Sequence, residues 1–434
     1  MLPIFYFVTM AVLAVLALTR QRILILCGFY CFYALLTVLD QDNVPHLGPV
    51  TIYRALYLII LVSLVARLVQ DPSFLLRVRR WPLASYCFLL ILILASALYT
   101  RTGSAFSSDA NPTVWDNLAI ISMFWMAASQ VQKESDLKIM AGTTAAVSLA
   151  LCVWVIWNAA QLNFAALRGG IEANQNYVSQ FVVAGAIPLI GILFMAKRRW
   201  VKLACLPILL CVMLGALILA SRGMIAALAV GVVWMMAGVF RGRRRRTMLG
   251  AGVILILIFG VALLLPGSSS FFERFQEGNL GTLSERTIIW SLSLKYFTGS
   301  SWGRMVFGQG LSSPDFVIAP SFDLLNYHNQ YLKYLIEQGV LGAAAFLIFL
   351  YSVARRVVQC RHPLKPLLAG WLGFLIVAGL SSTIADYHQF WILLGMTAGV
   401  CALPDTLMNA TQPADAQVNV GPRGPHFHRV FGRV

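Results

Sequence analysis

The chain has 434 residues, 59% of them apolar and only 12% charged. Soluble domains carry about 25% charged residues, so the composition excludes a water-soluble enzyme, a disordered chain and a fibrous repeat. An excess of 33 Lys and Arg over 17 Asp and Glu, formally +16, would suggest nucleic acid in a soluble protein. In a chain this apolar its use is orientation in a bilayer, and no nucleic-acid partner is expected.

Apolar segments run near 3–19, 23–38, 51–66, 81–99, 113–131, 139–161, 177–196, 203–220, 224–240, 247–266, 337–353, 366–384 and 390–404. A span needs roughly 20 apolar residues, and backbone in lipid must satisfy its own hydrogen bonds, so each segment is expected to be helical. The first two are short and separated only by Arg20-Gln21-Arg22. The expected fold is an all-α integral membrane protein with about 12 (12–13) transmembrane helices and a long, partly helical outer loop. The N-terminal positive charge follows the first apolar run instead of preceding it, which argues against a cleaved signal peptide. Eight cysteines lie in apolar segments or beside basic loops, with no disulfide framework and no CxxC pair.

Loop charge alternates. The loops 20–22, 67–80, 131–138, 197–202, 241–246 and 354–365, with the tail from 405, carry 24 of the Lys and Arg residues; the loops 39–50, 100–112, 162–176, 221–223, 267–336 and 385–389 carry 8. The positive-inside rule places the first set in the cytoplasm, with RGRRRR at 241–246 as the clearest anchor. The chain then divides into transmembrane helices with short loops over 1–266, an outer loop over 267–336, C-terminal transmembrane helices over 337–404, and a disordered cytoplasmic tail over 405–434. A loop of 70 residues is long enough to carry function.

Inside that loop, Thr282-Leu283-Ser284-Glu285 fits a capping box. RTIIWSLSLKYF follows as an amphipathic helix closed by Thr298-Gly299, then a stretch with Gly303, Gly308 and Gly310. NYHNQYLKYLIEQGVLG begins a helix returning to the membrane, with Tyr327, Tyr331, Tyr334 and Leu335 at helical spacing on one face.

Three of the six histidines, His46, His328 and His388, fall on the outer side. His328 is read into the first turn of a helix, where the dipole disfavours imidazolium. A neutral imidazole there can accept a proton near pH 7; a structural alternative is a helix-start histidine bonded to backbone. His388, in Asp386-Tyr387-His388, is the second choice. Arg222 stands between two long apolar runs, where a lone Arg is costly and is usually functional or paired. Arg286 opens the loop helix against its dipole. Converging guanidiniums suit a lipid-linked pyrophosphate, whereas an ordinary salt bridge with Glu285 or Glu273 is the plain alternative. Asn174-Gln175-Asn176-Tyr177 begins a span and could bond a sugar or phosphate, or simply cap the helix. Arg168 and Arg101 are further outer-side cations. No HExxH motif is present, and no metal or other cofactor is expected.

The set ANQNY at 173–177, SRG at 221–223, SERTIIW at 284–290, FGQG at 307–310 and YHNQYLKYLIEQGVLG at 327–342 resembles the bacterial O-antigen ligase family, within the superfamily of O-antigen polymerases and O-oligosaccharyltransferases. The resemblance runs from about residue 113 to 404. It implies a metal-independent, inverting glycosyltransferase with a GT-C-type bundle in the bacterial inner membrane, its active site facing the periplasm. The donor would be O-antigen on undecaprenyl pyrophosphate, and the acceptor a sugar hydroxyl of lipid A–core. The family's essential histidine falls on His328 and its two essential arginines on Arg222 and Arg286. Asn176, Tyr327 and Arg168 are expected to join Arg222 and Arg286 in binding substrate. An O-antigen polymerase or protein O-oligosaccharyltransferase would use the same donor; a lipid or solute transporter without chemistry is a reading from another class.

Overall fold

The computed structural model describes residues 23–36, 46–47, 50–70, 82–98, 114–161, 175–219, 221–239, 286–311 and 326–403, with single positions at 12, 15, 260, 264 and 317. Eleven of the thirteen apolar segments fall in these ranges, and each coincides with a helix. The segments 3–19 and 247–266 lie outside the described residues apart from isolated positions, as do the capping box, the RGRRRR run, Arg101, Arg168 and the tail.

In chain order the helices are α1 Ile23–Leu36, α2 Ile52–Gln70, α3 Leu83–Leu98, α4 Val114–Gln130, α5 Glu134–Gln161, α6 Gln175–Met195, α7 Arg199–Ile218 and α8 Arg222–Val239. The long loop contributes α9 Arg286–Thr298 and α10 Trp302–Phe307. Then come α11 Gln330–Gln359, α12 Lys365–Ser381, a 3-10 turn Ile384–Asp386 and α13 His388–Cys401. Among the described residues one feature departs from an all-helical fold: β1 His46–Leu47 pairs antiparallel with β2 Val50–Thr51, His46 opposite Thr51.

Among the described residues α5, Asn176–Met195 of α6, α7 and α11 are long and apolar enough to cross a membrane, and five shorter apolar helices accompany them. Leu58, Trp157, Tyr351 and Val358 are each more than half exposed. Apolar groups of that size, spread over helices, make a surface that suits lipid and not water.

Helix pairs close through small residues, as expected where no solvent drives helices together. In α13, Gly395 and Gly399 lie one GxxxG step apart against α4, and a Cβ at Gly399 would stand 2.8 Å from the Ala128 carbonyl. In α8, a Cβ at Gly231 would meet the Gly370 carbonyl of α12 at 2.8 Å, and one at Gly223 would collide with the Ser381 side chain. The buried indoles of Trp371 and Trp391 find acceptors, the first on Ala184 O (3.1 Å) and the second on Ala385 O (2.7 Å), as buried Trp N–H groups require.

The bundle has two chemically distinct ends. At one, Arg67 donates to Val131 O (3.3 Å), and the buried His362 faces Glu134 at 3.9 Å. These residues come from three of the Lys/Arg-rich connections. Three of the sparse connections come to the other end: Ser221 bonds Asn176, and Asn326 bonds Thr383 at the close of the 366–384 segment.

Candidate active site

At that second end, α6, α8, α11 and α13 all begin and α12 finishes. Each helix N-terminus presents the positive pole of its dipole, so the four together favour an anion.

His328 occupies a turn built by two asparagines. Asn326 Oδ1 accepts the His328 backbone N–H at 2.8 Å, and Asn329 Oδ1 accepts from Tyr331 and Leu332, both at 3.0 Å. Asn329 is therefore the N-cap of α11, and His328 precedes the helix instead of lying in its first turn. The reason is local: two asparagines three apart each offer a short acceptor to nearby backbone N–H groups, which draws the chain out of helix before Gln330. Among the described residues His328 is the only non-glycine with positive φ, at 49°. Non-glycine residues adopt that region rarely and at an energetic cost, and such positions cluster at functional sites. Burial, reinforced by the charge of Arg286, lowers the His328 pKa from 6.5 to about 4. Its ring is neutral at pH 7, through desolvation and then a neighbouring guanidinium.

Arg286 opens α9. One turn on, Trp290 Nε1 donates to the Tyr327 carbonyl at 2.9 Å, tying the Arg286-bearing helix to the residue before His328. The Tyr327 ring is fully buried in a small core with Ile289, Phe297, Leu332 and Ile336. Tyr331 and Tyr334 belong instead to the main core, packed on Phe346. The four residues read as one helical face are thus split: Tyr327 and Leu335 face the small core, Tyr331 and Tyr334 the main one.

The loop helices are clasped onto α11 by glycines. Gly339 has φ 70° and ψ −170°, a break inside α11. The Gln309 N–H donates to Ile336 O (2.8 Å) and the Gly310 N–H to Glu337 O (3.0 Å), satisfying carbonyls the break exposes. Gly308 and Gly310 have φ 94° and 93°. A side chain at Gly308 would collide with Glu337 O, and one at Gly339 with Val306 O. FGQG and EQG, distant in sequence, form one joint.

Arg222 begins α8, half-buried. Ser221 Oγ donates to Asn176 Oδ1 at 3.5 Å, and Gly223 packs on Ser381. Next to Ser381, Ser382 Oγ accepts from Gln180 Nε2 (3.2 Å), and Thr383 Oγ1 from Asn326 Nδ2 (3.1 Å). Asn326 in turn holds His328. The neighbours of Arg222 thus lie against Asn176 and Ser381, Thr383 two residues on bonds the asparagine that holds His328, and the Arg286 charge is felt at His328. Lys333 bonds Asp386 at 2.7 Å, with Glu337 at 4.0 Å, fastening the 384–386 turn to α11. His388 packs its ring on Phe29 and Tyr33, centroids 5.3 and 4.7 Å away, in an aromatic box. Arg168 lies outside the described residues. Asn326, Asn329, Trp290 and Lys333 are residues the sequence reading passed over; the Asn-x-x-Asn spacing before an apolar run was the available signal.

Fold and site together define a multi-pass helical membrane protein with a cationic, histidine-bearing centre at one end of its bundle. Residues 207–347, about a third of the chain, are similar to the family described as O-antigen ligase. The match runs from α7 into α11 and includes Arg222, Arg286, His328 and the glycine clasp; Asn176 and the 381–388 turn lie beyond it. None of the curated proteins compared matches the chain.

Proposed function

We propose that this protein is an O-antigen ligase, transferring a polysaccharide from undecaprenyl pyrophosphate to a sugar hydroxyl of lipid A–core at the periplasmic face of the inner membrane. The observation that carries the reading is the His328 turn, an imidazole kept neutral beside a guanidinium. The acceptor hydroxyl gives its proton to His328 as its oxygen bonds to the anomeric carbon. The bond from that carbon to the pyrophosphate oxygen breaks on the opposite face, the leaving diphosphate takes the electron pair, and configuration inverts. Arg222 and Arg286 hold the diphosphate and stabilise the charge growing on the leaving oxygen. The two guanidiniums supply that charge themselves, so the scheme calls on no metal ion. Asn176 supports Arg222 through Ser221, and the Tyr327 carbonyl positions His328 through Trp290.

The family match supports the donor class, and the crowding of helix N-termini supports an anionic ligand. The test is purified protein with lipid-linked donor and lipid A–core. The expected product is the joined lipid. His328→Ala is expected to stay folded and inserted and to lose about 10²–10⁴-fold in rate. Ligation by His328→Ala near the wild-type rate would remove the base. Product on the growing glycan, or on a peptide, in place of lipid A–core would turn the reading to a polymerase or a protein glycosylating enzyme.

A further inference from the structure

Between α9 and α10 lies a cavity of about 620 Å³, lined among others by Leu292, Lys295, Tyr296, Ser300, Ser301 and Arg304. Its size is that of a small-molecule site. Neither His328 nor Arg286 lines it; Lys295 stands nine residues along α9 from Arg286, about 13 Å at 1.5 Å per residue. The lining is cationic and hydroxylated. Residues 286–311 contain three cations and no Asp or Glu.

What fixes Arg304 is informative. Its Nη1 donates to Gln309 Oε1 at 3.1 Å, and Gln309 Nε2 donates to Ser300 Oγ at 2.8 Å. Gln309 is 1% exposed. Ser300 Oγ donates onward to Tyr296 O at 2.8 Å. A buried neutral amide thus orients the guanidinium without cancelling its charge, where a carboxylate would have done both. That arrangement leaves Arg304 set to meet an anion from the cavity side, with Lys295 as a second cation on the same lining. The volume exceeds what a bare phosphate fills, and the serine hydroxyls and Tyr296 suit a polyhydroxylated body.

We propose that this cavity is a subsite for a phosphorylated saccharide, its phosphomonoester gripped between Lys295 and Arg304 and its hydroxyls facing Ser300, Ser301 and Tyr296. Taken with the ligase reading, on which this part alone rests, the saccharide is the acceptor glycan, held on the loop helices while its hydroxyl reaches His328.

The experiment is titration calorimetry on the full chain in detergent, without donor. The probes are a trisaccharide bearing one phosphomonoester, the same trisaccharide after phosphatase treatment, and inorganic phosphate. Wild type is expected to bind the phosphorylated probe about tenfold or more tightly than the treated one, the worth of a charge-assisted contact. Lys295→Gln, at an exposed position, is expected to reduce that preference, and Lys295→Gln with Arg304→Gln to abolish it at an unchanged melting temperature. His328→Ala is expected to bind as wild type does, so that loss of the base assignment and loss of the subsite give different results. Equal binding of treated and untreated probe, or a preference kept by the double variant, overturns the proposal. Inorganic phosphate binding as tightly as the phosphorylated trisaccharide overturns its saccharide part.

Discussion

Replacing Gly339 with alanine puts a methyl group where backbone already stands. The residue has φ 70° and ψ −170°, a region that is essentially glycine's alone and costs other residues about 1–3 kcal/mol. The new Cβ would lie 2.6 Å from Gly308 N and closer still to the Val306 carbonyl, and neither backbone atom can swing aside. Relief requires the 308–310 segment to lift, which breaks the Gln309–Ile336 and Gly310–Glu337 hydrogen bonds, each worth about 0.5–1.5 kcal/mol. The total is about 2–6 kcal/mol, or roughly 30-fold to 10⁴-fold in the local opening equilibrium. The assay is amide hydrogen exchange on the full-length protein, read at residues 309 and 310. Exchange there is expected to accelerate by at least about 30-fold, with glycosyl transfer falling in parallel, because the clasp holds the Arg286-bearing helix beside His328. Gly303→Ala is the control: it sits in the same segment, in helix, with nothing within 4 Å of its Cβ, and should change exchange little. Wild-type protection at 309 and 310 in Gly339→Ala would refute the reasoning.

The pH profile offers a second check. With its pKa lowered to about 4 by burial and then by Arg286, free His328 stays unprotonated well below neutrality, so on the proposed mechanism kcat/KM should hold until pH approaches that value. On the proposed mechanism, bound diphosphate would offset the Arg286 charge and raise the pKa, so the acid limb of kcat should lie at higher pH than that of kcat/KM; coincident limbs would detach Arg286 from the donor. Arg222→Lys keeps the charge but loses the bidentate fork, and donor turnover should fall at least about tenfold, one charge-assisted hydrogen bond's worth; full activity would remove the clamp. Asp386→Asn strips Lys333 of its closest carboxylate while Glu337 remains at 4.0 Å, and should cost up to about 3 kcal/mol by thermal unfolding, against little change for the exposed Lys138 when its pair with Glu134 is removed.

Helix positions were legible because hydropathy reports burial in lipid directly: segments such as 81–99 and 113–131 match α3 and α4 within two residues at each end. The loop helix 286–298 was equally readable, ending at Thr298 as its Thr-Gly stop implies. Arg222, Arg286 and His328 stood out because each charge or imidazole was costly where the pattern put it. The clasp was not legible. FGQG and EQG are separated by some 30 residues, and positive φ at Gly308, Gly310 and Gly339 follows from a tertiary contact that no local spacing encodes. The place of Tyr327 was misread for a related reason. Its aromatic spacing suits a helix, yet Asn326 and Asn329 spend their side chains on backbone N–H groups and stop the helix short.

The break at Gly339 has a mechanical consequence. Residues 340–359 form a rod embedded with the bundle, while 330–338 form a stub pinned by Asn329, by Lys333 to Asp386, and by Tyr331 Oη on Ile376 O (2.6 Å). Tilting or sliding of the rod as the bilayer thickens or thins meets a hinge before it reaches the imidazole. The His328 turn takes its bearings from the neighbouring helix caps, and a change in lipid composition should leave its geometry undisturbed.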